Sequence, residues 1–430
     1  MTPVPVASPR SSDVLRLLTL SIGTVLLGLV AGCDLFAPSD DASTAPPREL
    51  TSTEKQVVAS DQRFGLRLFR NAFQAKGEGA SAKGNVLLSP VSVSMALGMT
   101  LNGARGETRT AMEEALEKQN LSPAEINDAY RGLIDLLEGL DPTVEMALAN
   151  AIWYRRSLLV RPAFIDTNEV HFDAEVTGLD FSDPDASKRM NDWVKDKTQS
   201  NIEKIVPSEI PKATVMYLMN ATYFKGSWRA KFDPEQTEDA PFHLADGSTT
   251  SVPMMERTEN VRHPYLQTEE FTAVDLAYGD SLYSMTVLLP REKHTVADVV
   301  DDLDAEQWSR ITEKMRPQAL RRLAMPRFTV RYKKTLNDIL SALGMRVAFT
   351  DQANFRGIAD TSLAIDSVKH KTFLRVDEDG TEASAVTSVG VGIVSADPAV
   401  VIDRPFVVAI RENHSGTILF LGAVMNPSAG

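Results

Sequence analysis

Near residue 140 the apolar residues of this chain change their period, and no other feature limits the fold as much. Between Glu54 and Phe73 they recur on one helical face, at Val57, Val58, Phe64, Leu68 and Phe69. Ser89-Pro90 reads as a cap with proline in the first turn, opening an apolar helix through Met99. Gly103-Ala104-Arg105-Gly106 breaks it, and Glu107–Leu116 and Ala124–Leu140 are further amphipathic helices, with Pro142 beyond. Strands then dominate: Val144–Tyr154, Val215–Tyr223 and Tyr283–Leu289 are alternating or continuously apolar. Ala297–Arg316 and Thr335–Leu343 return to helix, and Phe406–Ile410 with Ile418–Met425 form two strands joined by a turn at Glu412–Gly416. About nine helices mixed with long strands, in no βαβ alternation, place the fold in the α+β class.

Several functions are excluded by what the chain lacks. Lys+Arg 45 against Asp+Glu 58 gives a net charge of −13, which argues against nucleic acid as the partner. One cysteine rules out an internal disulfide framework and any cysteine-based zinc cluster. The 6 histidines are scattered and form no HExxH, so neither a metal nor a cofactor is expected. No GxSxG is present, and Gly279-Asp280-Ser281 and His414-Ser415-Gly416 lack both the elbow and a placed acid, so the chain is not read as an enzyme. The cations Arg316, Arg321, Arg322, Arg327, Arg331, Lys333 and Lys334 read as a solvated face spread by strand alternation rather than a polyanion site.

Residues 1–32 stand apart from the domain. Arg10 and Arg16 precede the apolar run Leu17–Val30, too short to span a membrane but suited to a signal-peptide core. Leu29-Val30-Ala31-Gly32-Cys33 follows, and it resembles the lipobox of a bacterial lipoprotein signal. That resemblance implies that Cys33 is diacylated, becomes the mature N-terminus after cleavage and tethers the chain to the cell envelope, where a monomer is expected; the plainer alternative is a secretory signal with an incidental cysteine. Residues 33–53, rich in Pro, Ser, Thr and Asp, read as a flexible tether. The folded domain is expected over 54–430.

Four blocks carry a family signature. The first is Asn85-Val86-Leu87-Leu88-Ser89-Pro90 with Ser92, Ala96, Leu97, Gly103-Ala104, Gly106 and Thr108. The second is Asn220-Ala221-Thr222-Tyr223-Phe224-Lys225-Gly226-Ser227-Trp228, then Phe232, Thr237 and Phe242-His243. The third is Pro326-Arg327-Phe328 with Leu343-Gly344-Met345, Ala348-Phe349 and Phe355. The fourth runs from His370-Lys371-Thr372-Phe373 through Glu378–Ala383 to Arg404-Pro405-Phe406, Phe420–Val424 and Asn426-Pro427. In this order the chain resembles the serpin family. The resemblance implies three β-sheets, about nine helices and an exposed reactive loop near the C-terminus, about residues 378–403. Inhibitory members are suicide substrates: a protease forms an acyl-enzyme with the loop, which then inserts as a new strand into the largest sheet and traps the enzyme. With about ten to twenty new hydrogen bonds at about 1 kcal/mol each, insertion yields on the order of 10 kcal/mol. Ser89, Ser92, Asn220 and His370 match family positions under the centre of that sheet, where strands must part. Trp228 matches the tryptophan near the top, where the loop enters.

The loop itself suits insertion. Period two puts Thr381, Ala383, Ala385, Thr387 and Val389 on one side, all small or β-branched and none charged. Glu382, Ser384, Val386 and Ser388 lie on the other, and no proline interrupts Gly380–Ser395. Gly380 supplies a pivot, whereas Gly390 and Gly392 make insertion entropically dearer. Without the flanking blocks, the same stretch would read as a plain surface loop. The spacing that the serpin resemblance implies, counted from Glu378 or back from Pro405, selects Val394–Ser395 as the scissile bond, with Ile393–Val394 the fallback. A valine there fits serine proteases with a shallow apolar pocket, elastase-like or subtilisin-like, and not a trypsin-like pocket, which needs a cation. The rival reading is a non-inhibitory member acting as a binding or structural module.

Overall fold

Thr51 opens the first helix by capping the backbone of Glu54, whose carboxylate in turn accepts from the Thr51 N–H. The same reciprocal box, Ser122 with Glu125, starts the fourth helix behind Pro123. The computed structural model describes residues 47–75, 84–258, 261–381 and 397–429. Its folded unit begins at Pro47, so the last residues assigned to the tether belong to the body. The reason is local: Leu50 is buried, and Arg48 donates to the Gly132 carbonyl and to Glu54.

The helices are α1 (Ser52–Gln74), α2 (Pro90–Leu101), α3 (Gly106–Ala115), α4 (Pro123–Gly139), α5 (Pro162–Phe172) and α6 (Pro184–Lys197). Later come α7 (Val296–Asp302), α8 (Ala305–Lys314) and the short α9 (Asn337–Leu340). The strands begin with β1 (Val86–Leu88), β2 (Val144–Arg155), β3 (Ala174–Leu179), β4 (Met216–Ser227), β5 (Glu238–His243) and β6 (Thr249–Arg257). Next are β7 (Arg262–Gln267), β8 (Phe271–Tyr278), β9 (Tyr283–Pro290), β10 (Arg316–Ala319) and β11 (Arg322–Pro326). The last are β12 (Phe328–Thr335), β13 (Lys369–Val376), β14 (Gly380–Thr381), β15 (Ala399–Val401), β16 (Phe406–Glu412) and β17 (Ile418–Val424).

The α+β class holds. Ala297–Arg316 is two helices rather than one, because Asp304 caps a new start by accepting from the Gln307 N–H. A seven-stranded sheet in the order β1-β17-β16-β9-β8-β7-β10 forms the centre, and β9 and β17 are buried along their whole length. That explains their unbroken apolar runs. α1 and α2 pack over it, with Phe64, Phe69, Tyr130 and Phe406 sealed in the core.

Pairing divides the other strands into β15-β11-β6-β5, β14-β4-β2-β3 and the pair β12-β13. Among the described residues there are thus four hydrogen-bonded sheets where the resemblance implied three. The extra division falls between β4 and β13, which face each other without pairing. The cavity of about 150 Å³ described below is lined by both of these strands.

Candidate functional site

The gap between β4 and β13 is where the sequence-predicted residues gather. Ser89 stands at the N-cap of α2, yet its hydroxyl makes no capping bond. It points at β4 instead, 3.3 Å from the Thr222 hydroxyl, while its backbone N–H donates to Nε2 of His370 on β13 at 3.1 Å. Thr222 continues to the Asn220 side chain at 3.2 Å, and Asn220 donates to Asn150 of β2 at 2.6 Å. One polar chain therefore passes beneath the gap from β13 to β2. Ser92, a turn further along α2, lines the adjoining cavity with Asn220 and His370. Fully satisfied chains of this kind hold two elements in register without covalent or sheet bonding.

Burial pushes the His370 imidazole down to about 4 from its ordinary value near 6.5. Because the folded value lies below the unfolded one, its contribution to stability is complete above about pH 6.5. It is lost as pH falls towards 4, by about 3 kcal/mol in all. His263, lowered to about 4 by burial and by Arg257, acts in the same window. His370→Gln should therefore lessen the acid destabilisation between pH 6.5 and 4 by on the order of 1–3 kcal/mol, measured as denaturant midpoints at pH 7 and pH 4.5. An unchanged pH slope would show that His370 does not carry it.

At the other end of β4 the chain forms the near base of the loop. Gly380 and Thr381 pair antiparallel with Ser227 and Gly226. Gly380 has φ +148°, and a Cβ there would sit 2.1 Å from the Gly226 carbonyl oxygen. Only glycine lets the backbone lie this close. Thr381 is 1% exposed, with its hydroxyl 2.8 Å from that of Tyr278. Tyr278 stacks on Trp228 at 4.4 Å, and the Trp228 indole donates to the Asp377 carbonyl at 2.9 Å. Trp228 does not join the polar chain around Ser89; it lies eight residues beyond Asn220, just past the end of β4.

Three successive carboxylates, Asp377, Glu378 and Asp379, are buried in this turn, and each has a cation. Arg375 lies 3.4 Å from Asp377, Arg327 pairs with Glu378, and Lys231 lies 3.1 Å from Asp379. Burial alone would raise Glu378, but hydrogen bonds from Arg327 and Thr237 outweigh it and hold the carboxyl below its ordinary value. Burial leaves Asp377 raised despite Arg375. Arg327 was read with the solvated cations, whereas one arm of it enters this base. Its companions do scatter: Arg322 pairs with Glu256, and Arg331 lies over the Phe373 ring. Tyr278, Thr222 and Asn150 were not singled out. Outside the family block that holds Thr222, nothing local marks them: Tyr278 meets Thr381, and Asn150 meets Asn220, across 70 or more residues of sequence. The three-carboxylate run was the one available signal, because buried acids require cations.

The far base of the loop lies in a different sheet, where Ala399–Val401 pairs parallel with Arg322–Ala324. Glu382, Ala383, Ser384, Ala385, Ile393, Val394 and Ser395 lie outside the described residues, as does Cys33. The class is thus an α+β body in which β4 and β13, of separate sheets, line one cavity, while β14 and β15 belong to different sheets. The family model described as Serpin (serine protease inhibitor) matches residues 59–427, and the chain belongs to the serpin family. It is 37% identical to Serpin A3-3 of Bos taurus, covering 80% of this chain and 84% of that protein. It is 32% identical to the leukocyte elastase inhibitor of Sus scrofa, over 87% of this chain and 100% of that protein. The solved structure of human thyroxine-binding globulin with its hormone superposes with a TM-score of 0.79 at 27% identity, covering 87% of this chain and 100% of that one.

Proposed function

We infer that this chain is a suicide-substrate inhibitor of serine proteases, acting by acyl-enzyme trapping and loop insertion. The observation that carries the reading is the state of the gap: Thr381 already forms the first rung of a strand beside β4, side chain inward, while β4 and β13 remain unpaired beyond it. A strand continuing from Thr381 would satisfy both open edges. Inhibitory relatives such as the leukocyte elastase inhibitor support the same reading, and Val394 at the proposed bond suits elastase-like or subtilisin-like pockets. The test is a panel of elastase-, subtilisin-, chymotrypsin- and trypsin-like proteases on a denaturing gel, with the cleavage site sequenced. A complex stable in SDS with the apolar-pocket enzymes is expected; cleavage without complex would leave a non-inhibitory role. That second reading draws on thyroxine-binding globulin, a family relative whose structure holds a small hormone.

The anchor is part of the proposal. The pattern Leu29–Cys33 supports lipid attachment at Cys33 and residence in the cell envelope. Cys33→Ser should leave an unlipidated precursor, and mass spectrometry of the wild-type N-terminus should find diacylated Cys33. Unmodified Cys33, or cleavage elsewhere, would contradict it.

A further inference from the structure

The larger cavity between β4 and β13 has about 150 Å³ of interior, and its walls are not those of a finished core. Met216, Leu218, Leu363, Ile365 and Val368 line it while remaining only half-buried. Ser92, Asn220 and His370 share the lining, so one wall is polar and the rest apolar, around a space about as large as one that holds a six-carbon ring. Lys371 forms part of its rim and also borders an open basin of about 560 Å³, shared with Lys204, Arg331 and Lys333.

That rim is crowded with like charge. Lys333 and Lys371 are direct cross-strand partners, an arrangement that destabilises a sheet when both are charged. Lys369 stands two residues along the same face, and the Lys371 ammonium is turned onto the Lys204 carbonyl. Burial and then the neighbouring Lys333, Lys204 and Lys369 lower the Lys371 amine. The nearest acids on the two rims are Asp366 and Glu203, and neither is ion-paired with these lysines among the described residues. An apolar slot therefore ends in a group of cations that lack a counter-charge.

We propose that this groove binds a free medium-chain carboxylate, with its hydrocarbon tail between β4 and β13 and its head on Lys371, Lys333 and Lys204. The tail completes the half-buried walls, and the head relieves the repulsion across β12 and β13. The tail occupies part of the gap that an inserting strand would fill, but its binding to the intact chain is read without a protease, so the site is tested apart from trapping.

Titration calorimetry on the full chain with octanoate, which stays monomeric, tests this. One saturable site per chain is expected, with acetate and octyltrimethylammonium each at least tenfold weaker. Lys333→Met, at an exposed position, and Leu218→Glu in the wall should each weaken octanoate at least tenfold while leaving cooperative unfolding intact. These two variants separate the groove from adsorption on the apolar run Leu17–Val30. Equal binding of acetate would reduce the site to an anion patch, and equal binding of octyltrimethylammonium to an apolar slot; either overturns the proposal. So does octanoate binding that both variants leave unchanged.

Discussion

Thr381→Arg is expected to turn the chain from a trap into a substrate. Thr381 is sealed against Tyr278 at the first rung beside β4, so an arginine there must bury a cation or peel the rung away. Peeling the rung away keeps the cation solvated in the intact chain, but insertion must then bury it unpaired, at a cost of several kcal/mol. Attack on the proposed bond, far along the chain from Thr381, is expected to continue, and hydrolysis of the acyl-enzyme to overtake the slowed insertion. Cleaved chain should rise and SDS-stable complex should fall by at least about tenfold, since 1.4 kcal/mol in the competing rates already gives that factor. The change sits at the end of a sheet, so the body should still unfold cooperatively. Undiminished complex would refute the inward side chain and with it the proposed order of insertion.

Val394→Arg is expected to exchange the targets. Valine fills a shallow apolar slot, whereas arginine must be desolvated there and instead satisfies the acid of a trypsin-like pocket. Inhibition of elastase-like enzymes should fall, and inhibition of trypsin-like ones should appear, each by about ten- to a hundredfold. The hinge at Gly380 and Thr381 is untouched, so trapping should survive. The same change at Ile393 should matter far less. A switch at Ile393 alone would move the scissile bond one residue earlier; a switch at neither would put the bait elsewhere in the loop.

The parts of this fold legible in the sequence are those set by local rules. α1, α2 and α4 announce themselves by a cap, a proline in the first turn or a clean 3.6-residue period. The hairpin β16–β17 does so by its two continuous apolar runs. β5 and β7 were invisible because their exposed faces carry Glu238, Asp239 and Arg262, and they read as loop. α6, with only Ala186, Ser187, Met190 and Val194 buried, shows too narrow a stripe to stand out.

The site follows the same division. Period two along the loop groups Thr381 with the small uncharged residues, and in the intact chain its side chain is buried. The family blocks brought out Ser89, Asn220 and His370, which the structure joins through Thr222. Tyr278 and Lys231 were out of reach, because each acts through a contact more than 100 residues away. The parting of β4 from β13 was legible only through the family resemblance. Both strands have ordinary strand sequences, and an absent hydrogen-bond ladder leaves no trace in either.

The account rests on that gap accepting the loop as its middle strand, and thermal unfolding before and after cleavage tests it most directly. A protease that nicks the loop without being trapped frees the segment after Thr381 to pair with β4 and β13. If insertion yields on the order of 10 kcal/mol, the cleaved chain should melt on the order of 10 °C or more above the intact one. Amide exchange should slow along both facing edges, residues 216–226 and 370–376. A cleaved chain that melts at or below the intact temperature, with both edges still exchanging freely, would contradict the account.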